Sequence, residues 1–195
     1  MVVKVGFVVE GDCEKILIES KHFRDWAVQY ELEICDPVID VRGGGNLCPQ
    51  QIQPYVELCQ KQANPDKIVV LTDLECEPCI TQARQRIGIE HIDLLCIACK
   101  ALESWYLADT EALQKWMEKK VSEHKNPELS GTEKKPWDEL KCLANKYKTR
   151  GPGKKKPIFT RKMLNDYGFS LQRAAAHPAC PSAQYFLKKL AALTQ

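Results

Sequence analysis

The stretch Lys67-Ile-Val-Val-Leu-Thr-Asp-Leu-Glu75 sets two carboxylates, Asp73 and Glu75, directly after an apolar run from Ile68 to Leu71. Alternate residues at a strand end point the same way, so the two acids can share one site. Carboxylates a few ångströms apart repel one another unless a cation lies between them. Oxygen ligands of this kind suit Mg²⁺ or Mn²⁺ better than a soft metal. Three further acids stand in comparable places: Glu10 after the run Val2–Val9, Glu14 one helical turn on, and Glu103 just past the run that ends at Cys99. In open parallel sheets ligands bind beyond the carboxyl ends of the strands. Glu10, Glu14, Asp73, Glu75 and Glu103 are therefore expected at one rim, where one or two divalent ions would relieve their repulsion.

The elements that must position these acids follow from periodicity. Val2–Val9, Leu32–Val41 (interrupted by Pro37), Lys67–Thr72 and Ile89–Cys99 read as strands. Between them lie helical patterns: one from Cys13 with Ile16, Leu17, Phe23, Trp26 and Ala27, one over Pro49–Ala63 containing Pro54, and a short one over 78–87. A further helix opens at Lys100 and runs towards Val121. Strand and helix alternating four times predict an α/β fold, a mostly parallel four-stranded sheet flanked by helices. Gly11 supplies the turn after Glu10, and Asp12 is placed to cap the first helix. Arg42-Gly43-Gly44-Gly45-Asn46 reads as a mobile connection whose backbone N–H groups could face phosphate.

Composition changes near residue 122, which divides an α/β domain over 1–121 from a basic helical extension over 122–195 packed on it. Residues 122–135 read as a polar linker; helices are expected over 137–148, 158–176 and 182–193. The net charge is only +2, but residues 134–162 hold eleven Lys/Arg against two acids. An acidic body with a basic limb points to a polyanionic partner for the limb. The N-terminus does not read as a signal peptide and no run approaches a membrane span, so a cytoplasmic protein with no membrane partner is expected.

The motifs resemble a known family. Val9-Glu10-Gly11-Asp12-Cys13-Glu14 and Asp73-Leu74-Glu75 look like the Toprim fold of topoisomerases, primases and the overcoming-lysogenization-defect nucleases. More closely, Ala101-Leu-Glu-Ser-Trp-Tyr-Leu-Ala-Asp109 is similar to the Glu-x-Trp-x-x-Ala-Asp signature of a small bacterial Toprim-like family, domain of unknown function 4276. Pro181-Ser-Ala-Gln-Tyr-Phe-Leu resembles that family's last helix. The resemblance implies a Rossmann-like sheet and Mg²⁺- or Mn²⁺-dependent hydrolysis of nucleic acid. By position, Glu10 and Glu14 would help hold one metal, Asp73 would lie at the centre with Glu75 beside it, and Glu103 would complete a second site. Glu75 departs from the family's common Asp-x-Asp. Lys100 is a candidate for stabilising developing phosphate charge. Two divalent ions could clamp the attacking water and the leaving oxygen. Arg42 and the basic residues Lys154, Lys155, Lys156, Arg161 and Lys162 would contact the phosphate backbone. The resemblance further implies an ABC-type ATPase partner and a place in anti-phage defence; the alternative is a non-catalytic module binding nucleic acid or that ATPase.

Cysteines offer a competing chemistry. Cys76-x-x-Cys79 and Cys96-x-x-Cys99 have zinc-site spacing. Cys96 and Cys99 nevertheless fall in a strand, where residues three apart face opposite sides, so free thiols are favoured over zinc. Cys13, at a helix start, is expected to have a lowered pKa. Trp137 in the basic limb could stack on a base.

Overall fold

The computed structural model describes residues 1–74, 80–87 and 91–195, with the backbone alone for Arg86. Among the described residues five strands form one parallel sheet: β1 (Val3–Val9), β2 (Leu32–Ile34), β3 (Ile39–Asp40), β4 (Lys67–Asp73) and β5 (Leu94–Ala98). The order is β2-β1-β4-β5, with β3 also paired to β1. The expected four strands become five because Leu32–Val41 is divided. Pro37 has no N–H for the ladder, so β2 pairs with the start of β1 (Val3 opposite Leu32) and β3 with its end (Val8 opposite Ile39). The chain winds first to one side of β1 and then to the other. The winding therefore reverses between β1 and β4, and a crevice opens there at the carboxyl ends.

Ten α-helices accompany the sheet among the described residues: α1 (Asp12–Glu19), α2 (Lys21–Gln29), α3 (Pro49–Ala63), α4 (Ile80–Ile87), α5 (Glu103–Ala108), α6 (Thr110–Met117), α7 (Pro136–Lys146), α8 (Lys156–Asn165), α9 (Leu171–Ala176) and α10 (Pro181–Ala191). Three patterns that read as single helices are each broken by a capping side chain. Ser20 Oγ accepts from the Phe23 N–H, Asp109 from Ala112 and Ser170 from Arg173. Such short oxygen-bearing side chains compete for the backbone and start a new helix with a new direction. Gly11, not Asp12, is the residue before α1, and Asp12 is its first residue.

The sheet is buried on both faces, as a parallel sheet must be. Alternate residues Val5, Phe7, Val9, Val69, Leu71, Cys96 and Ala98 face the larger core; Val8, Ile68, Val70, Leu95 and Ile97 face a smaller one under α3 and α4. On the smaller face a Cβ at Gly6 would lie 2.6 Å from Cys59 Sγ, so glycine there lets α3 rest against β1. The C-terminal helices share the larger core: the Phe186 ring packs on Phe7, Phe23 and Trp105. Residues 122–135, which read as a polar linker, contain buried Glu128 and Leu129. Glu128 Oε1 accepts from the Ser182 N–H at 2.8 Å, anchoring that segment to the start of α10. Among the described residues no helix is long and apolar enough to cross a membrane.

Candidate metal centre

Val9 of β1 lies opposite Leu71 of β4, so Glu10, the next residue, arrives beside Thr72 and Asp73. Its Oε2 accepts from the Asp73 N–H at 3.0 Å and from the Thr72 hydroxyl. The glycine turn closes over it. Gly43 N–H donates to the Glu10 carbonyl at 2.8 Å, and a Cβ on Gly44 would lie 3.1 Å from Glu10 Oε1. The connection that read as mobile is a 3-10 turn over Gly44–Leu47 packed on a carboxylate. Asp73 Oδ1 in turn accepts from the Leu102 N–H at 2.8 Å, which ties the end of β4 to the start of α5 and so places Glu103. Glu103 is 3% exposed. Its Oε1 is 2.9 Å from Lys156 Nζ, and its Oε2 is buried with no hydrogen-bond partner among the described residues. Glu14 is buried in the first turn of α1.

These four acids act on one another electrostatically. Burial, with the charges of Glu10 and Glu103, pushes Glu14 up to about 8. Burial and the charges of Glu14, Glu103 and Glu10 hold Asp73 well above the usual carboxylate range, and Lys156 partly offsets them. Burial works against the Lys156 ammonium, but Glu103 outweighs it and the pKa is raised. Among the described residues no three His, Cys, Asp or Glu side chains form a ready-made metal cage; Glu75 lies outside those residues. The chemistry of the donors fits a hard divalent cation all the same. They are all carboxylate oxygens, they are short of positive charge, and one buried oxygen has no partner among the described residues.

A family profile described as Domain of unknown function (DUF4276) matches residues 9–191. The chain belongs to that family. Searches of curated proteins and of solved structures each give no match.

The DUF4276 region includes the stretch Glu103–Asp109, whose residues divide their work. Glu103 joins the acids. Trp105 and Tyr106 are buried and bolt α5 in place, through Trp105 Nε1–H to Ser182 Oγ at 2.8 Å and the Tyr106 hydroxyl to Thr160 Oγ1 at 3.0 Å. Asp109, fully buried, accepts from Arg173 Nε and Nη2 and from the Ser170 N–H, each at 2.8 Å. It clamps α6 to α9.

The other expected site residues are spread out. Lys100 Nζ donates to the Thr132 carbonyl at 2.6 Å. Arg42 is exposed on the glycine turn, its N–H donating to Asp40 Oδ1 at 2.6 Å. Lys154, Lys155 and Lys162 line a separate cavity, and Arg161 is exposed. Of these expected basic residues, Lys156 alone reaches the acids. It lies on the face of α8 that also carries buried Phe159 and Met163, with the Trp137 ring centroid 5.9 Å from its ammonium. Starting α8 at residue 158 hides this; the Pro157 that permits a helix to begin at Lys156 was the available signal. Trp137 packs edge-on against Phe159 with centroids 5.6 Å apart.

Burial pushes the Cys13 thiol up to about 12, the reverse of the lowering expected at a helix start, because desolvation and the charges of Glu14 and Glu103 outweigh the Thr160 hydrogen bond and the Lys156 charge. Cys96 faces the larger core and Cys99 packs on the smaller one; Cys76 and Cys79 lie outside the described residues.

Proposed function

We propose that this DUF4276 protein hydrolyses phosphodiester bonds in nucleic acid at a Toprim-like site that binds Mg²⁺ or Mn²⁺. The observation that carries the reading is the gathering of Glu10, Glu14, Asp73 and Glu103 at the reversal point of the sheet, with one buried Glu103 oxygen that has no partner among the described residues. Glu10, Asp73 and Glu103 would hold the cation, with Glu14 and Glu75 beside them. A divalent ion held there would activate a water and neutralise charge on a phosphoryl oxygen.

The chain's own groups set the stage. Thr72 and the Asp73 N–H orient Glu10, and the Leu102 N–H orients Asp73, so two carboxylates are fixed by backbone and hydroxyl donors before any substrate arrives. Burial and mutual repulsion raise both Glu14, to about 8, and Asp73, so in the metal-free cluster these two carboxyls are the groups able to hold a proton. Lys156 balances Glu103. The exposed Lys154, Lys155, Arg161 and Lys162 would contact the strand through its phosphates, with Arg42 at the glycine turn. The kinship to the overcoming-lysogenization-defect nucleases, a partner ATPase, anti-phage defence and a cytoplasmic setting belong to the same reading.

One observation favours a second reading. Lys156 already supplies countercharge to Glu103. An acid already partnered from within the fold suits a non-catalytic module that binds nucleic acid or an ATPase. Cleavage of supercoiled plasmid and labelled single strands with Mg²⁺, Mn²⁺ or EDTA separates the two. The hydrolase reading expects metal-dependent cleavage by the wild type and its loss in Asp73→Asn, which keeps the Leu102 hydrogen bond. Cleavage undiminished in that variant contradicts the assigned site.

A further inference from the structure

The outward side of α8 forms the wall of a second concavity, away from the acids. Its volume is about 320 Å³, and Arg150, Lys154, Lys155 and Lys162 line it together with Tyr167 and Ile158. Glu118 is the one carboxylate among the lining residues. Among the described residues, none of the four cationic side chains forms an ion pair: the lysine that pairs from this segment, Lys156, turns the other way to Glu103. Four cations facing one acid in a concave space leave an excess of positive charge that an anion would neutralise.

The backbone adds to this. Lys155 precedes α8 and gives it no side-chain cap; Pro157 carries no N–H and the Phe159 N–H bonds the Lys155 carbonyl, which leaves the Lys156 and Ile158 N–H groups at the helix start. Gly153 has φ +87, a turn that glycine allows, and it brings the preceding loop round to the helix start. The loop is held down by buried Pro152. The apolar portion of the wall includes exposed Ile158, at 53%, and part-buried Tyr167, over buried Trp116 and Phe159.

We infer that this cavity, lined by Arg150, Lys154, Lys155 and Lys162, binds the phosphomonoester of a nucleotide, with the nucleoside against Ile158 and Tyr167. Size and charge both select it. The volume is at the lower end of the range for small-ligand pockets, roughly 300–1,000 Å³, which suits one nucleotide rather than a run of them. A phosphomonoester carries about −1.5 to −2 charge near neutral pH, whereas a backbone diester carries only one. Two sources share this chemistry: a free mononucleotide and the terminal phosphate of a strand. The inference deepens the nucleic-acid reading above but does not need the acids to be catalytic.

The test is done in EDTA, so that hydrolysis plays no part. Fluorescence anisotropy compares a short labelled single strand bearing a 5′-phosphate with the same strand bearing a 5′-hydroxyl, and unlabelled AMP serves as competitor. The full-length wild type is expected to bind the phosphorylated strand at least tenfold more tightly. Lys155→Glu/Lys162→Glu, both exposed positions, is expected to lose that preference, while Asp73→Asn keeps it. Displacement by AMP assigns the pocket to free nucleotides as well as strand ends; no displacement alongside a phosphate preference assigns it to strand ends. Equal binding of the two strands by the wild type overturns the inference, as does a preference retained by the double variant. Neither result bears on metal-dependent cleavage, which fails or survives with Asp73.

Discussion

Glu103 Oε1 and Lys156 Nζ stand 2.9 Å apart and join the first turn of α5 to the first residue of α8. The carboxylate is 3% exposed and the lysine side chain 45%. Removing the lysine therefore leaves a buried charge without its partner, but solvent still reaches the position. Lys156→Met, which keeps the apolar stem, is expected to destabilise the metal-free protein by about 1–3 kcal/mol, less than for a fully buried pair. The same variant should gain more from Mn²⁺ than the wild type does, because the ion replaces the missing charge. Thermal denaturation with Mn²⁺ or EDTA measures both; an unchanged Mn²⁺ shift would mean that lysine and cation do not share the site.

Raised carboxylate pKa values make a statement about pH. Glu14 rises from an ordinary 4.5 to about 8 in the fold, and Asp73 rises too. A group raised on folding supports the native state fully below its unfolded pKa and loses that support as pH climbs through the folded one. In EDTA the protein is expected to lose stability from about pH 4.5 to about pH 8. Glu14→Gln should flatten that slope. Urea unfolding at pH 5 and pH 8.5 is the check, and a wild type more stable at the higher pH would refute the electrostatic account.

Gly44 offers a test of the turn over Glu10. A methyl group there would meet Glu10 Oε1 at 3.1 Å, close enough to shift the carboxylate and too slight to unfold the turn. Gly44→Ala is expected to weaken Mn²⁺ binding by about tenfold, the scale for disturbing a ligand's support, with the melting temperature of the metal-free protein nearly unchanged. Calorimetric titration with Mn²⁺ reads the first and thermal melting the second.

Asp109 separates scaffold from chemistry. It is fully buried and accepts four hydrogen bonds: from the Ala112 and Ser170 N–H groups and two from Arg173. Asp109→Ala leaves a cap empty and the Arg173 guanidinium without its carboxylate. The expected loss is about 2–4 kcal/mol of stability. Below the melting temperature, Mn²⁺ affinity should stay within a factor of two or so of the wild type, because loss of a structural clamp leaves the distant ligands in place. A large fall in affinity of the folded variant would move Asp109 into the site.

Much of this arrangement was legible in the sequence because it rests on local signals. Apolar runs marked β1 and β4, and acids directly after them had to fall at the carboxyl rim once the sheet was parallel. The division of Leu32–Val41 into two strands was less legible, since Pro37 signals a break without saying that both halves pair with the same neighbour. Lys156 was hidden for a different reason. Its role depends on which face of α8 turns inward, and a shift of two residues in the helix start moves it from the charged surface to the acids. Asp109 read as part of a motif with Glu103, yet six residues along a capped break the chain has turned towards α9.

Mn²⁺ binding tests the central claim most directly, because it needs no substrate and no partner protein. Electron paramagnetic resonance at pH 8.5, where Glu14 is largely deprotonated, counts bound Mn²⁺ in the wild type and in Asp73→Asn. The account predicts at least one ion bound by the wild type and binding weakened at least tenfold in the variant. A folded wild type that binds no Mn²⁺, or an Asp73→Asn protein that binds it as tightly, would contradict the assignment of these acids as a metal centre.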